Sequence, residues 1–341
     1  MLTFTIRRLI LAIPTLIFIS FIIFLIVKLS PSDPTAGLPL TIPPEVREQI
    51  RESLGVNDPI FVQYFKWLKL TVWDEPLHMF DGWFGTELAP EGGTRIISYQ
   101  TRSPVMDLIM QRMPQTLWVV GTSYIVGILI AVPIGVISAY RQYSWFDQIG
   151  TFISMLGFSV PTFFTGVLLI VIFSTVIPQD SMFWLPSVYD TTLEVVDWDT
   201  FVQQFKQMIM PVMVLGLFNA SQISRYMRAS MLDNLNQDYV RTARAKGLTE
   251  SVVVLIHVLR NSMIPVVTVI ALNVPAVFGG AIITEQVFKV NGIGQLLIIA
   301  IQAGDVPVVQ TVSFIFAILI VLFNLLADIL YGVLDPRIRY D

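Results

Sequence analysis

Few of the 341 residues are of types that do covalent or metal chemistry. Cys is absent and the two His stand far apart, at 78 and 257. Disulfides, thiolate sites and a histidine metal cluster are therefore excluded. No Gly-Lys pair occurs, so no P-loop can cradle a phosphate. His-Glu-x-x-His, Gly-x-Ser-x-Gly and paired acids within an apolar run are also missing, which removes an intramembrane hydrolase. What remains is charge at particular places. Asp238, Arg241, Arg244 and Lys246 surround Ala243 and Gly247, and Asp328 is one acid inside a long apolar run. No catalytic residue, metal ligand or cofactor is expected on this chain.

These residues must be positioned by apolar elements, because 54% of the chain is hydrophobic and 13% charged, with mean hydropathy +0.70. Soluble domains carry about a quarter charged residues. Half that figure leaves too little polar surface for a water-soluble globule. The 23 Phe and 7 Trp exclude disorder. The fold class expected is an all-α polytopic membrane protein with about six spans. A span needs about 20 mainly apolar residues, and the stretches that meet or approach this are 9–29, 116–140, 149–177, 207–224, 263–287 and 308–334. The fourth is short and interrupted by Pro211, Gly216 and Asn219. Arg7 and Arg8 before the first span resemble a signal-peptide start. The apolar run is too long for one, however, and Lys28 to Gly37 lacks a small-x-small cleavage site, so an uncleaved helix is expected.

Lys and Arg set the orientation. With the N-terminus in the cytoplasm, the inner side holds eleven basic and six acidic residues; the outer side holds ten basic and eighteen acidic. Both chain ends are therefore expected inside. This divides the chain into an N-terminal helix (1–29), an outer segment (30–115) and a five-span core (116–341) with an inner loop at 225–262.

In the outer segment, Pro43-Pro44 opens a short helix through Val46, Ile50 and Leu54 that Gly55 stops. Asp58-Pro59 starts a second helix with an apolar stripe of Phe61, Tyr64, Phe65 and Leu68, joined by Trp67 and Trp73. Such an aromatic amphipathic helix suits the outer membrane interface. Residues 74–103 read as irregular loop, and Ser103-Pro104 caps a helix leading to the second span. Pro133 with Gly135, Gly157 with Pro161, and Pro275 with Gly279-Gly280 interrupt three spans. Each break suits a packing kink; together they suggest a path through the protein, where freed backbone groups are tolerated.

Within 225–262, Asn236 and Asp238 start a helix, Arg244 and Lys246 end it in accord with the helix dipole, and Gly247 stops it. Thr249-Glu250 begins a second helix that runs to Arg260. Ala243 and Gly247 share a face on which another protein's backbone can approach closely. A basic loop resting on anionic headgroups is the other reading. Asp328 is expected either to pair with Arg225 or Arg228, or to serve the path. Thr268, Asn273, Glu285 and Asn324 are candidate lining or gate residues, since polar groups avoid lipid.

The run Tyr239-Val-Arg-Thr-Ala-Arg-Ala-Lys-Gly247-Leu248, then His257-Val-Leu-Arg-Asn261 and Ile264-Pro265, resembles the cytoplasmic loop of ATP-binding-cassette (ABC) importer permeases. It is most similar to the B-type subunit of the dipeptide/oligopeptide branch. Arg241-Thr242-Ala243 stands where the generic loop has Glu-Ala-Ala, and Pro265 lies farther from the Gly than usual. Further similarities run from Arg7-Arg8-Leu9 and Pro31-Ser-Asp-Pro34, through Gly157-Phe-Ser-Val-Pro161, to Thr284-Glu285-Gln-Val-Phe288, Gly292-Ile-Gly294, Asp305-Val-Pro and Asp335-Pro-Arg337. Asn291 replaces the family's usual Pro.

The resemblance implies a type I importer fold in a bacterial or archaeal inner membrane, and one half of a heterodimeric peptide pathway. It further implies a second permease subunit, two ATPase subunits carrying ATP and Mg, and an outer solute-binding protein. Glutathione, nickel chelates, opines or sugars are alternative substrates. Asp238, Arg241, Ala243, Arg244 and Gly247 would form the ATPase-coupling loop. A gradient-driven transporter is the rival reading, but it would need paired intramembrane charges or an internal repeat, and neither is present. Lipid is the remaining partner; no nucleic acid is expected.

Overall fold

The computed structural model describes residues 2–29, 43–45, 57–89, 94–278 and 282–334. Among them no strand forms; one isolated bridge joins Ile97 and Pro104. The expected helix through Val46, Ile50 and Leu54 lies outside the described residues, as do Pro31–Pro34, Gly279-Gly280 and Asp335–Arg337. The chain divides into two compact units. One comprises Pro114–Gln295 with Met1–Arg8 and Leu322–Asp341; the other comprises Leu9–Met113 with Leu296–Val321.

α1 (Leu2–Leu29), which belongs to the second unit from Leu9 onward, is apolar on every side, and Ile10, Ile13, Phe18 and Ile26 are exposed. An all-round apolar helix of this length is made for lipid. α2 (Ile60–Lys69) begins directly after Pro59, as Asp58-Pro59 predicts. It is more than an interfacial helix, because Tyr64 and Trp67 are buried against Phe24 and Phe314. The Tyr64 hydroxyl lies 2.8 Å from Ser20 Oγ. Phe61 and Phe65, on the other side, stay exposed.

The helix then continues through a π-type turn at Leu70–Asp74 into α3 (Glu75–Phe84). Residues 74–84 are therefore not loop, which corrects the expectation for 74–103. Pro76 suits a first helical turn, Phe80 and Phe84 pack with ring centroids 4.5 Å apart, and Gly85 at φ 65° supplies the left-handed stop.

Beyond α3, Arg95 bridges Glu75 (3.2 Å) and Asp107 (2.9 Å), and Glu75 also accepts the Ile96 N–H at 2.6 Å. Asp305 accepts from Ser98 Oγ (2.5 Å) and from the Tyr99 and Gln100 N–H groups. These two buried acids hold 94–104 in place as ordered structure.

The other unit is built on α5 (Thr122–Tyr140), which continues α4 (Val105–Thr116) through Leu117–Gly121. Pro133 does not break it. Gly135 instead permits close packing on α8 (Trp198–Leu235): a Cβ at 135 would lie 2.6 Å from Met227 Cβ and 2.8 Å from the Ser224 carbonyl. Small residues let membrane helices approach in this way.

Gly135→Val is expected to destabilise by about 2 kcal/mol through overpacking. Gly121→Ala, where a Cβ meets nothing within 4 Å, should cost little. Thermal unfolding of the solubilised protein checks both. α8 starts with a capping box in which Asp197 accepts from the Thr200 N–H at 2.8 Å. That bond holds the Asp197 carboxyl below the usual carboxylate range.

The expected single span at 149–177 is replaced by α6 (Trp145–Ser159) and α7 (Thr162–Ile170, extended by Val171–Val176), which meet at 100°. Pro161 pushes Val160 out of the helical region, to φ −80° and ψ 126°. Among the described residues, five other helices are long and apolar enough to cross a membrane: Thr5–Leu29, Val105–Tyr140, Trp198–Leu235, Glu250–Pro275 and Val306–Leu330.

α9 (Asp238–Ala245) follows α8 directly, so helix runs through most of 225–262 and is broken at 236–237 and 246–249. Helix resumes at Glu250 and, after a π-type turn at Val253–Val258, becomes α10 (Leu259–Phe278). Residues 279–281 of the expected span at 263–287 lie outside the described residues; beyond them α11 (Ile282–Phe288) turns into α12 (Ile293–Ala303) through Lys289 at φ 58°. α13 (Val306–Leu334) closes the described chain.

Candidate functional site

The 236–249 elbow is a short helix pinned from inside. Val240 and Ala243 are buried in the cluster that includes Met231, Val253 and Val258. Ala243 thus faces its own core, which corrects the expectation of a shared small-residue docking face with Gly247. Gly247 has φ 78° and its N–H bonds to the Arg244 carbonyl at 2.9 Å, a left-handed helix stop with no atom near a prospective Cβ. Asp238, Arg241 and Arg244 are exposed. Arg241 bonds Asp238 at 3.3 Å. Arg244 grips Glu250 with two bonds, of 2.6 and 3.2 Å, tying the elbow to the next helix and raising the Arg244 pKa.

The expected pairing of Asp328 with Arg225 or Arg228 is not formed. Asp328 pairs with Arg8 at 2.9 Å. Arg228 holds Asp147 through two bonds of 2.6 and 2.7 Å, and Arg225 lies 4.7 Å from the centroid of the Phe158 ring. Sequence distance hid these partners, since Arg8 and Asp328 come from opposite ends of the chain. Asp147 is almost fully buried, so Arg228→Ala strands its carboxyl. About 3 kcal/mol of stability should be lost, and adding Asp147→Ala should cost much less than a second independent loss; a double-mutant cycle on thermal stability reads this.

Glu285 is also placed differently from expectation. It is 1% exposed, accepting from the Thr116 hydroxyl and the Gln295 N–H, both at 2.9 Å. Thr116 Oγ1 accepts in turn from the Ile293 N–H at 2.8 Å. Gly292 and Gly294 lie so close to this carboxyl that a Cβ at either would collide with it. Glu285 therefore fastens the turn between α11 and α12.

A cavity of about 570 Å³ lies among α5, α7, α8, α10 and α11, with Thr162, Asn219, Gln222, Asn273 and Thr284 among its lining residues. Of the four expected path residues it contains Asn273. Thr268 bonds its own helix at the Ile264 carbonyl, and Asn324 is exposed on α13. Asn219 and Gln222 had no motif to mark them; their spacing of three on α8 beside Leu215 and Phe218 was the available signal.

A family model described as "Binding-protein-dependent transport system inner membrane component" matches residues 131–340, and its N-terminal companion matches 1–120. The chain belongs to this permease family. Over 344 aligned residues covering all of both chains, it is 38% identical to the oligopeptide transport system permease protein AppB of Bacillus subtilis (strain 168). It is 36% identical, again over the full length of both, to the glutathione transport system permease protein GsiC of Escherichia coli (strain K12) and of Salmonella typhimurium. The permease is thus a multi-pass inner membrane subunit of an ABC transporter. Its all-α architecture with several apolar helices agrees with that membership.

Proposed function

We propose that this permease forms half of the path for peptides in an ATP-driven importer. A second permease subunit forms the other half, two ATPase subunits sit at the 236–249 elbow, and an outer binding protein delivers substrate. The full-length similarity to an oligopeptide permease carries the substrate reading. The coupling role is supported by the elbow's form: a rigid helix anchored through Val240 and Ala243, exposing Arg241 and Arg244, and joined by Arg244–Glu250 to a long apolar helix. ATP and Mg belong to the ATPase subunits, since this sequence lacks a P-loop. A push on the elbow would tilt α8 and α10 as rigid bodies, the hinge or shear motion of many transporters.

Glutathione, itself a short peptide, is the second reading, favoured by the similarity to GsiC. Reconstitution of the assembled transporter with its binding protein separates the two. ATP-dependent uptake of a labelled tripeptide in preference to reduced glutathione is expected; uptake of neither refutes the proposal.

A further inference from the structure

The cavity described above holds more than apolar surface. Leu215, Phe218, Asn219 and Gln222 project from one face of α8, and the two amides make no side-chain hydrogen bond among the described residues. Asn273, opposite on α10, gives its amide N–H to the Val269 carbonyl at 2.8 Å and keeps its carbonyl oxygen as an acceptor. Thr284 is 2% exposed, and its hydroxyl has no partner among the described residues although it borders this space. Buried polar atoms without partners cost free energy, so such a hydroxyl beside free amides marks a place where a ligand supplies the missing bonds.

The second feature is the charge of the lining. Among its described lining residues none is ionisable except Tyr124, whose hydroxyl donates to the Ile270 carbonyl at 2.6 Å. The α8 stripe reaches its first cation one turn past Gln222, at Arg225, which is engaged over Phe158. The volume suits a small molecule or a short peptide segment.

We propose that this cavity is a contact site for peptide main chain, in which Asn219, Gln222 and Thr284 exchange hydrogen bonds with substrate amides. A main-chain amide presents one donor and one acceptor whatever its side chain, and the side-chain amides of Asn and Gln present both in return. A charged lining would instead attract some peptides and repel others. The site therefore passes acidic, neutral and basic peptides alike. This deepens the peptide reading and rests on it.

The test uses the full transporter in proteoliposomes with neutral, acidic and basic tripeptides. Asn219→Leu combined with Gln222→Leu should lower uptake of all three by a similar factor, about tenfold. Asn219→Asp places a like charge against acidic substrate; the ratio of acidic to neutral uptake should fall about tenfold while the complex assembles normally. Thr284→Val, nearly isosteric, should lower uptake of all three several-fold. An unchanged charge ratio in Asn219→Asp, or a Leu-variant loss confined to one charge class, overturns the proposal. Failure of the unaltered transporter to take up any tripeptide refutes the peptide reading instead, and this proposal with it.

Discussion

Replacing Glu285 with alanine is expected to lower the stability of the permease by about 3 kcal/mol. The carboxyl accepts from Thr116 and Gln295 in a site with almost no solvent, and bonds to such a group are worth about 1.5–3 kcal/mol each. Alanine leaves the Gln295 N–H without its acceptor and opens a hole under Gly292 and Gly294. Glutamine should recover most of the loss. Its oxygen can accept from Gln295 N–H and its amide N–H can donate to Thr116 Oγ1, which already accepts from Ile293. Unfolding temperatures in detergent, with proteolysis between Lys289 and Gly292 as a local readout, should rank wild type first, glutamine next and alanine last. Alanine matching wild type would show that the buried carboxyl does not hold the turn.

The second large effect is expected at Gly247. Its φ of 78° favours glycine, yet the space around it within the chain is open. Asn and Asp tolerate this backbone region better than other side chains, so a purely conformational role predicts mild effects for both. The coupling role predicts more. A side chain projecting from the elbow would meet the ATPase surface, and Gly247→Asp and Gly247→Asn should each lower transport about thirtyfold, the equivalent of about 2 kcal/mol at an interface. Membrane insertion should be unchanged. Transport and ATPase stimulation near wild type in both variants would contradict coupling through this position.

Much of the architecture is legible in the sequence because lipid imposes a simple rule on apolar length. The first and last helices, and the start of α2 at Asp58-Pro59, need only composition and local turn chemistry. The break at Pro161 is legible too, since proline restricts the residue before it. Its size, 100°, is not. Pro133 shows the opposite case: the same residue type sits within a continuous helix because neighbouring packing tolerates it, and its companion Gly135 serves contact with Met227 instead.

The polar sites are where local reading fails. Asp328 and Arg8, Arg228 and Asp147, and Glu285 and Thr116 are paired by tertiary contact, and nothing local names the partner. Ala243 is instructive in another way. Its small size and its spacing of four from Gly247 suit an intermolecular face equally well, and only Val240, buried on the same side, shows that the face turns inward. The exposed part of the elbow is consequently Arg241, Arg244 and their polar neighbours. Recognition there would rest on charge and shape more than on small-residue packing.

An ATPase subunit should seat on the 236–249 elbow. The chain contains no cysteine, so a single Cys placed at exposed Lys246 is a unique reactive point. With this variant in the assembled transporter, a short thiol–amine cross-linker should join the permease to the ATPase subunit, and ATP should change the yield. Labelling of Lys246→Cys by lipid-borne probes alone, with no ATPase adduct under any nucleotide condition, would show that the elbow rests on lipid and couples to no ATPase.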